Sequence, residues 1–217
     1  MYEYVKNKEI LKYIFELSTN LTNELKIKVN NDKYIRINIE IVGNKNLTMR
    51  DSNNPIDVDF NIVVYPFLDE DIDPKKLKDY LINEFNLILD KHNLNECKDQ
   101  ISTIQVLINK DKSYPPFNLN LCIVALVLDE PNRLIHRYKK KIDRHLYAFN
   151  KLTSFDEVNK KVELLKEAEL FDELRETYKD KRNLYLKRND LENHPAIVCY
   201  IEAVNELFAN LIISSMK

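Results

Sequence analysis

The chain has 217 residues, of which 44% are hydrophobic and 31% charged, with a formal net charge of −2 at pH 7. That apolar share supports a real core and excludes a disordered chain. The near-zero charge excludes a global basic field as the means of holding nucleic acid, so any such contact has to come from a local patch.

The length suits one domain, or one domain with a small helical addition. No apolar run in the sequence approaches the ~20 residues of a membrane span, and the charged, amphipathic start MYEYVKNKEILKY does not read as a signal peptide. Cys97, Cys122 and Cys199 lack a Cys-x-x-Cys pair and read as reduced thiols rather than a zinc site. The expectation is a cytoplasmic protein with no membrane partner. A single Gly, no Trp and many Asn, Lys and Ile suggest an AT-rich bacterial coding sequence.

In chain order, Val5, Ile10, Leu11, Ile14, Leu17, Leu21 and Leu25 predict a core-facing helix over residues 3 to 28. Asn30-Asn31-Asp32 is a turn. Residues 35 to 42 (IRINIEIV) alternate as a strand, and Gly43 follows, able to take positive φ or let a ligand approach the backbone. A polar loop leads to Asp57-Val58-Asp59, which opens a second strand marked by Val58, Phe60, Ile62 and Val63. Residues two apart in a strand share a face, so Asp57 and Asp59 aim at one spot. Converging carboxylates repel unless a cation sits between them, and a hard, oxygen-loving ion such as Mg2+ (or Mn2+) fits that need. The same pair is also what a turn residue plus a solvated side chain would look like.

Pro66 ends the second strand. Asp69, Glu70, Asp71 and Asp73 read as a solvated loop and helix start, with Asp73 as cap and Pro74 at the first helical position. A helix over 74 to 91 buries Leu77, Leu81, Phe85, Ile88 and Leu89. Residues 101 to 108 and 117 to 128 predict a β-hairpin around Asp111-Lys112-Ser113.

From Pro131 the reading is helical to the end. Residues 132 to 149 suggest a basic amphipathic helix carrying Arg133, His136, Arg137, Lys139, Lys140, Lys141, Arg144 and His145. This run is either a phosphate-contacting face or a solvated one balanced by Glu163 to Glu173. Ser154 and Glu157 suggest a capping box before a long helix over 155 to 178. Asn193 and Pro195 open a last, apolar helix. Tyr178, Tyr185 and Tyr200 are candidates for base stacking or, more simply, packing residues with wet hydroxyls. Arg188 to His194 matches the permissive Arg-x(4–6)-His pattern of HEPN-type ribonucleases, although Pro195 makes the stretch look like a helix junction.

The unit of strand, Gly turn, polar loop and Asp-x-Asp strand resembles the nucleotidyltransferase superfamily, the polymerase-β-like fold. Gly43-Asn44 stands at that family's Gly-Ser position, Asp57-Val58-Asp59 at its metal pair, and Asn120 at its third carboxylate. The resemblance covers about residues 10 to 128. It implies an α+β fold: a small mixed β-sheet flanked by helices over residues 1–130, then a C-terminal all-helical region over 131–217. It implies a nucleoside triphosphate and Mg2+ (or Mn2+) held by Asp57 and Asp59, with Gly43, Asn44, Lys45 and Arg50 along the phosphates. A nucleotidyl group would pass to an RNA or protein acceptor. Asn120 carries no charge and cannot serve as a general base, which leaves catalysis weakened or lost. The alternative is an inactive nucleotide-, RNA- or protein-binding module of the same fold.

Overall fold

The computed structural model describes residues 1–32, 34–42, 45–51, 54–65, 72–127, 130–139 and 143–215. The chain opens with β1 (Tyr2–Tyr4), α1 (Lys8–Asp32), β2 (Arg36–Ile41), a 3-10 turn (Lys45–Leu47), β3 (Met49–Asp51) and β4 (Ile56–Tyr65). It continues through α2 (Pro74–Lys91), β5 (Lys98–Asp99), β6 (Ile104–Ile108) and β7 (Phe117–Val127). Then come β8 (Glu130–Lys139), β9 (Arg144–Lys151), α3 (Phe155–Glu167), α4 (Phe171–Lys187) and α5 (Ala196–Ser215).

Among the described residues the strands form one nine-stranded sheet with the parallel pair β4 and β7 at its centre. β2 and β3 share the free edge of β4, both antiparallel to it. β6 and β8 divide the far edge of β7 in the same way, and β9 pairs with β8. Period-2 alternation then decides what each face carries. Ile56, Val58, Phe60, Ile62 and Val64 of β4 join Leu119, Leu121, Ile123 and Ala125 of β7 in a core closed by α1 and α2. The intervening residues face the other way, where Cys122 and Val124 meet α3, α4 and α5 in a second core. The fold class is the expected one: a mixed sheet flanked by helices, with a helical region at the end.

Several local expectations change. Residues 2 to 4 are a strand, and α1 begins only after Asn7, whose side chain accepts from the Glu9 and Ile10 amides at 2.9 and 3.1 Å. In place of a basic helix over 132 to 149, residues 132–139 and 144–149 lie in the paired strands β8 and β9, so helix takes over at Phe155 instead of residue 131; Lys140 and Lys141 lie outside the described residues. The long helix expected over 155 to 178 is two, α3 and α4, parted near Glu169, which takes φ 60°. Ser154 precedes α3 without a side-chain cap bond, and Glu157 pairs with Lys161 instead of closing a capping box. Asp73 does cap α2, accepting from the Lys75 and Lys76 amides. Its neighbours Asp69, Glu70 and Asp71 lie outside the described residues. By length and apolar content α5 meets the requirement for crossing a membrane, against the sequence expectation. Here its Ile197, Cys199, Ala203 and Val204 pack into the second core.

Candidate functional site

Asp57 and Asp59 both lie on the β4 face that looks toward the C-terminal helices. The parallel register sets Asp57 beside Asn118 and Asp59 beside Asn120 of β7, and β6 adds Gln105 beside Asn120. A polar row thus crosses three adjacent strands on one face. Its members are linked: Gln100 Nε2 donates to Gln105 Oε1 at 3.3 Å, and Gln105 Nε2 to Asn120 Oδ1 at 2.8 Å. Asn120 Nδ2 donates in turn to Asp59 Oδ1 at 3.1 Å and Asp57 Oδ1 at 3.5 Å.

The cation between the carboxylates belongs to the chain. Arg182 of α4, 5% exposed, reaches down from the helical layer. Its Nη2 lies 3.1 Å from Asp57 Oδ2 and its Nη1 3.5 Å from Asp59 Oδ2. The guanidinium sits over the Tyr2 ring, 4.7 Å from its centroid, a cation–π arrangement. The Tyr2 hydroxyl donates to Asp57 Oδ2 at 2.7 Å. Burial pushes the Tyr2 phenol up, which keeps it a donor. Asn183, next to Arg182, clasps the Tyr2 backbone by accepting its N–H at 2.7 Å and donating to its carbonyl at 3.3 Å. Burial pushes the Asp59 carboxyl up to about 6, against the opposing pull of Arg182 and with a further push from Asp57.

Tyr2, Asp57, Asp59, Arg182 and the amides of the polar row line a cavity of about 310 Å³ together with Asn54, Ser102, Thr103, Glu192 and His194. The far wall is braced by the basic run. Arg133, 7% exposed, donates to the Asn193 carbonyl at 2.8 Å and to Ser102 Oγ at 3.3 Å. Arg137 donates to Asn193 Oδ1 at 3.0 Å. Lys78 of α2 pairs with Asp99 and donates to the Gln100 carbonyl at 2.5 Å. His194 stacks on Tyr185 at 3.7 Å, with Nδ1 3.0 Å from Asp190 Oδ2. Arg188 is exposed beyond the end of α4, so the Arg–His pattern spans a helix junction rather than one helical face. The tyrosines are packing residues: Tyr178 meets Tyr200 edge-on, and the Tyr185 hydroxyl donates to Glu202 at 2.8 Å. Burial pushes the Cys122 and Cys199 thiols up to about 12, so neither offers a thiolate.

Of the expected site residues, Asp57, Asp59 and Asn120 come together. Gly43 and Asn44 lie outside the described residues. Lys45 is exposed with Nζ over the Phe15 ring, and exposed Arg50 donates from Nε to the Asn54 carbonyl at 3.3 Å; neither lines the cavity. Arg182, Tyr2 and Gln105 are the members that the sequence reading missed.

The donor set does not fit a resident metal. Each oxygen of Asp57 and Asp59 already accepts from Tyr2, Asn118, Asn120 or Arg182. Asn120 turns its N–H group to the carboxylates and spends its carbonyl on Gln105, so it presents no oxygen ligand. No cluster of three or more His, Cys, Asp or Glu suited to a metal occurs among the described residues. A divalent ion would also have to approach a buried guanidinium of like charge.

No family description matches the sequence, and no curated protein does. Among solved structures, a complex of CdnC with HORMA-deltaN from E. coli MS115-1 aligns with 94% of this chain at TM-score 0.53 and 14% identity. CdnC with ATP from the same strain aligns with 98% at TM-score 0.51 and 15% identity. The chain spans only 61% and 69% of the lengths of those two proteins. The likeness shows the fold, a mixed sheet with flanking helices.

Proposed function

We propose that this chain is a binding module of nucleotidyltransferase-like fold, which holds a nucleoside or nucleotide by its base and sugar and transfers nothing. The observation that carries the reading is the internal neutralisation of Asp57 and Asp59 by Arg182. With the carboxylates so engaged and an amide at position 120, none of these three residues is left to bind a catalytic ion or to take a proton from an attacking hydroxyl. What the cavity does offer is amides and hydroxyls: Asn54, Gln100, Gln105, Ser102 and Thr103 present donors and acceptors of the kind that base edges and ribose hydroxyls need. Its charge disfavours a bare polyphosphate. Asp57, Asp59 and Glu192 against Arg182 leave a formal −2 with His194 neutral.

The second reading is the one that the sequence resemblance implies: a triphosphate on Mg2+ or Mn2+ at Asp57 and Asp59, and transfer to an RNA or protein acceptor. The fold likeness to CdnC, solved with ATP, favours it. It requires Arg182 to withdraw from both carboxylates. Calorimetry with adenosine, guanosine, ATP and GTP, each with and without Mg2+, separates the two readings. The module should bind the nucleoside more tightly than the metal-free triphosphate, and nucleoside binding should gain nothing from Mg2+. Incubation with α-labelled ATP or GTP and an RNA or protein acceptor should leave the acceptor unlabelled. Label on the acceptor, or triphosphate binding that needs both Mg2+ and Asp57, would overturn the reading.

A further inference from the structure

We infer that Arg182 is a tethered cation standing where a divalent metal would bridge Asp57 and Asp59, and that removing its charge opens a metal site at the pair. An ordinary ion pair needs one carboxylate. This guanidinium spans two, presenting one terminal nitrogen to each of two residues that β4 sets on the same face. Its placement is a response to charge more than to hydrogen-bond count: Nε is buried with no hydrogen-bond partner among the described residues. Two structural supports hold it there, the Tyr2 ring beneath the guanidinium and the Asn183 clasp on the Tyr2 backbone.

Charge accounts for the exclusion. Two carboxylates and one guanidinium sum to −1, against −2 for a bare pair, and the positive charge lies between the oxygens a metal would need. Like charges ~4 Å apart repel by several kcal/mol at the effective dielectric of a partly buried site. Without the guanidinium, Asp59 Oδ2 would lose its donor and Asp57 Oδ2 would keep only the Tyr2 hydroxyl, so each carboxylate would turn a less engaged oxygen to the cavity, with room for the waters that Mg2+ or Mn2+ retains. The inference is independent of the nucleotide reading, because its test uses metal alone.

The test is Mn2+ titration of the full chain without nucleotide, read by the free-ion spin-resonance signal and by thermal unfolding. Wild-type protein should show no site tighter than ~1 mM. R182M should bind one Mn2+ at least ~10-fold more tightly than wild type, and its unfolding midpoint should rise with added ion. R182K keeps the positive charge and should bind no ion, and R182M with D57N should lose the new site. Wild-type binding that D57N abolishes overturns the inference, as does a folded R182M that binds no Mn2+. Should R182M not fold, the wild-type and R182K titrations decide: tight, Asp57-dependent binding by either refutes it, and the absence of binding by both upholds it.

Discussion

Arg182 occupies the buried stripe of α4, in register with Leu174, Tyr178 and Tyr185 at helical spacing. Removing one partner of a buried ion pair leaves an uncompensated charge, a loss of about 3–5 kcal/mol. R182M in metal-free buffer should lose about that much in urea unfolding, and adding D57N and D59N should recover most of it. The two carboxylates were legible in the sequence, since period-2 alternation puts them on one face, and Asn120 was named only through the family resemblance, because it stands on another strand. Arg182 was not, because Lys181-Arg182-Asn183 looks like any wet basic run and its partners lie 123 and 125 positions away. The available signal was its spacing from Tyr178 and Tyr185, which places a charge among apolar residues.

His136 supports a prediction of a different kind. Its Nδ1 lies 2.7 Å from Asp99 Oδ2 and its Nε2 2.6 Å from His145 Nδ1, with Tyr147 stacked at 4.2 Å. Burial lowers its affinity for a proton below the ordinary 6.5, Lys78 and His145 add to that, and Asp99 opposes it. Below that ordinary value the unfolded chain binds a proton that the folded chain refuses. Stability therefore falls as pH drops through the range, until the folded ring also protonates. Thermal melts between about pH 8 and pH 5 should show this decline, shallower in H136Q.

At the scale of elements, α2 and the β6–β7 hairpin were readable from local chemistry. Asp73 and Pro74 start α2 as the sequence suggests, and D73A should cost about 0.5–2 kcal/mol in chemical unfolding. The β8–β9 hairpin was misread for a physical reason. Arg133, Leu134 and Ile135 are all buried in succession, so β8 shows no alternation, and the run of cations suggested a helix face. Arg133 is buried because it braces the loops at Ser102 and Asn193, a role invisible without those loops. Leu134, 1% exposed, fixes the hairpin to the main core, and L134A should cost about 2–5 kcal/mol by the same measurement.

For the whole molecule, the decisive pairing is β4 with β7. Parallel neighbours need a long crossover, so this contact forms through distant parts of the chain and is intrinsically slow. The sheet then separates two cores, with α1 and α2 on one side and α3 to α5 on the other. Fold class could be argued from strand and helix patterns. The division of labour between the faces could not, since it depends on which helices settle where.

That arrangement sets an order of events during synthesis. The acidic pair and its amide neighbours leave the ribosome well before α4 does, so for an interval the nascent sheet carries two acids with no resident counter-charge. A chain stopped short of α4 would keep them that way, open to whatever ion the surroundings supply. The temperament of the pocket is thus decided by the last third of the polypeptide, not by the segment that bears the acids.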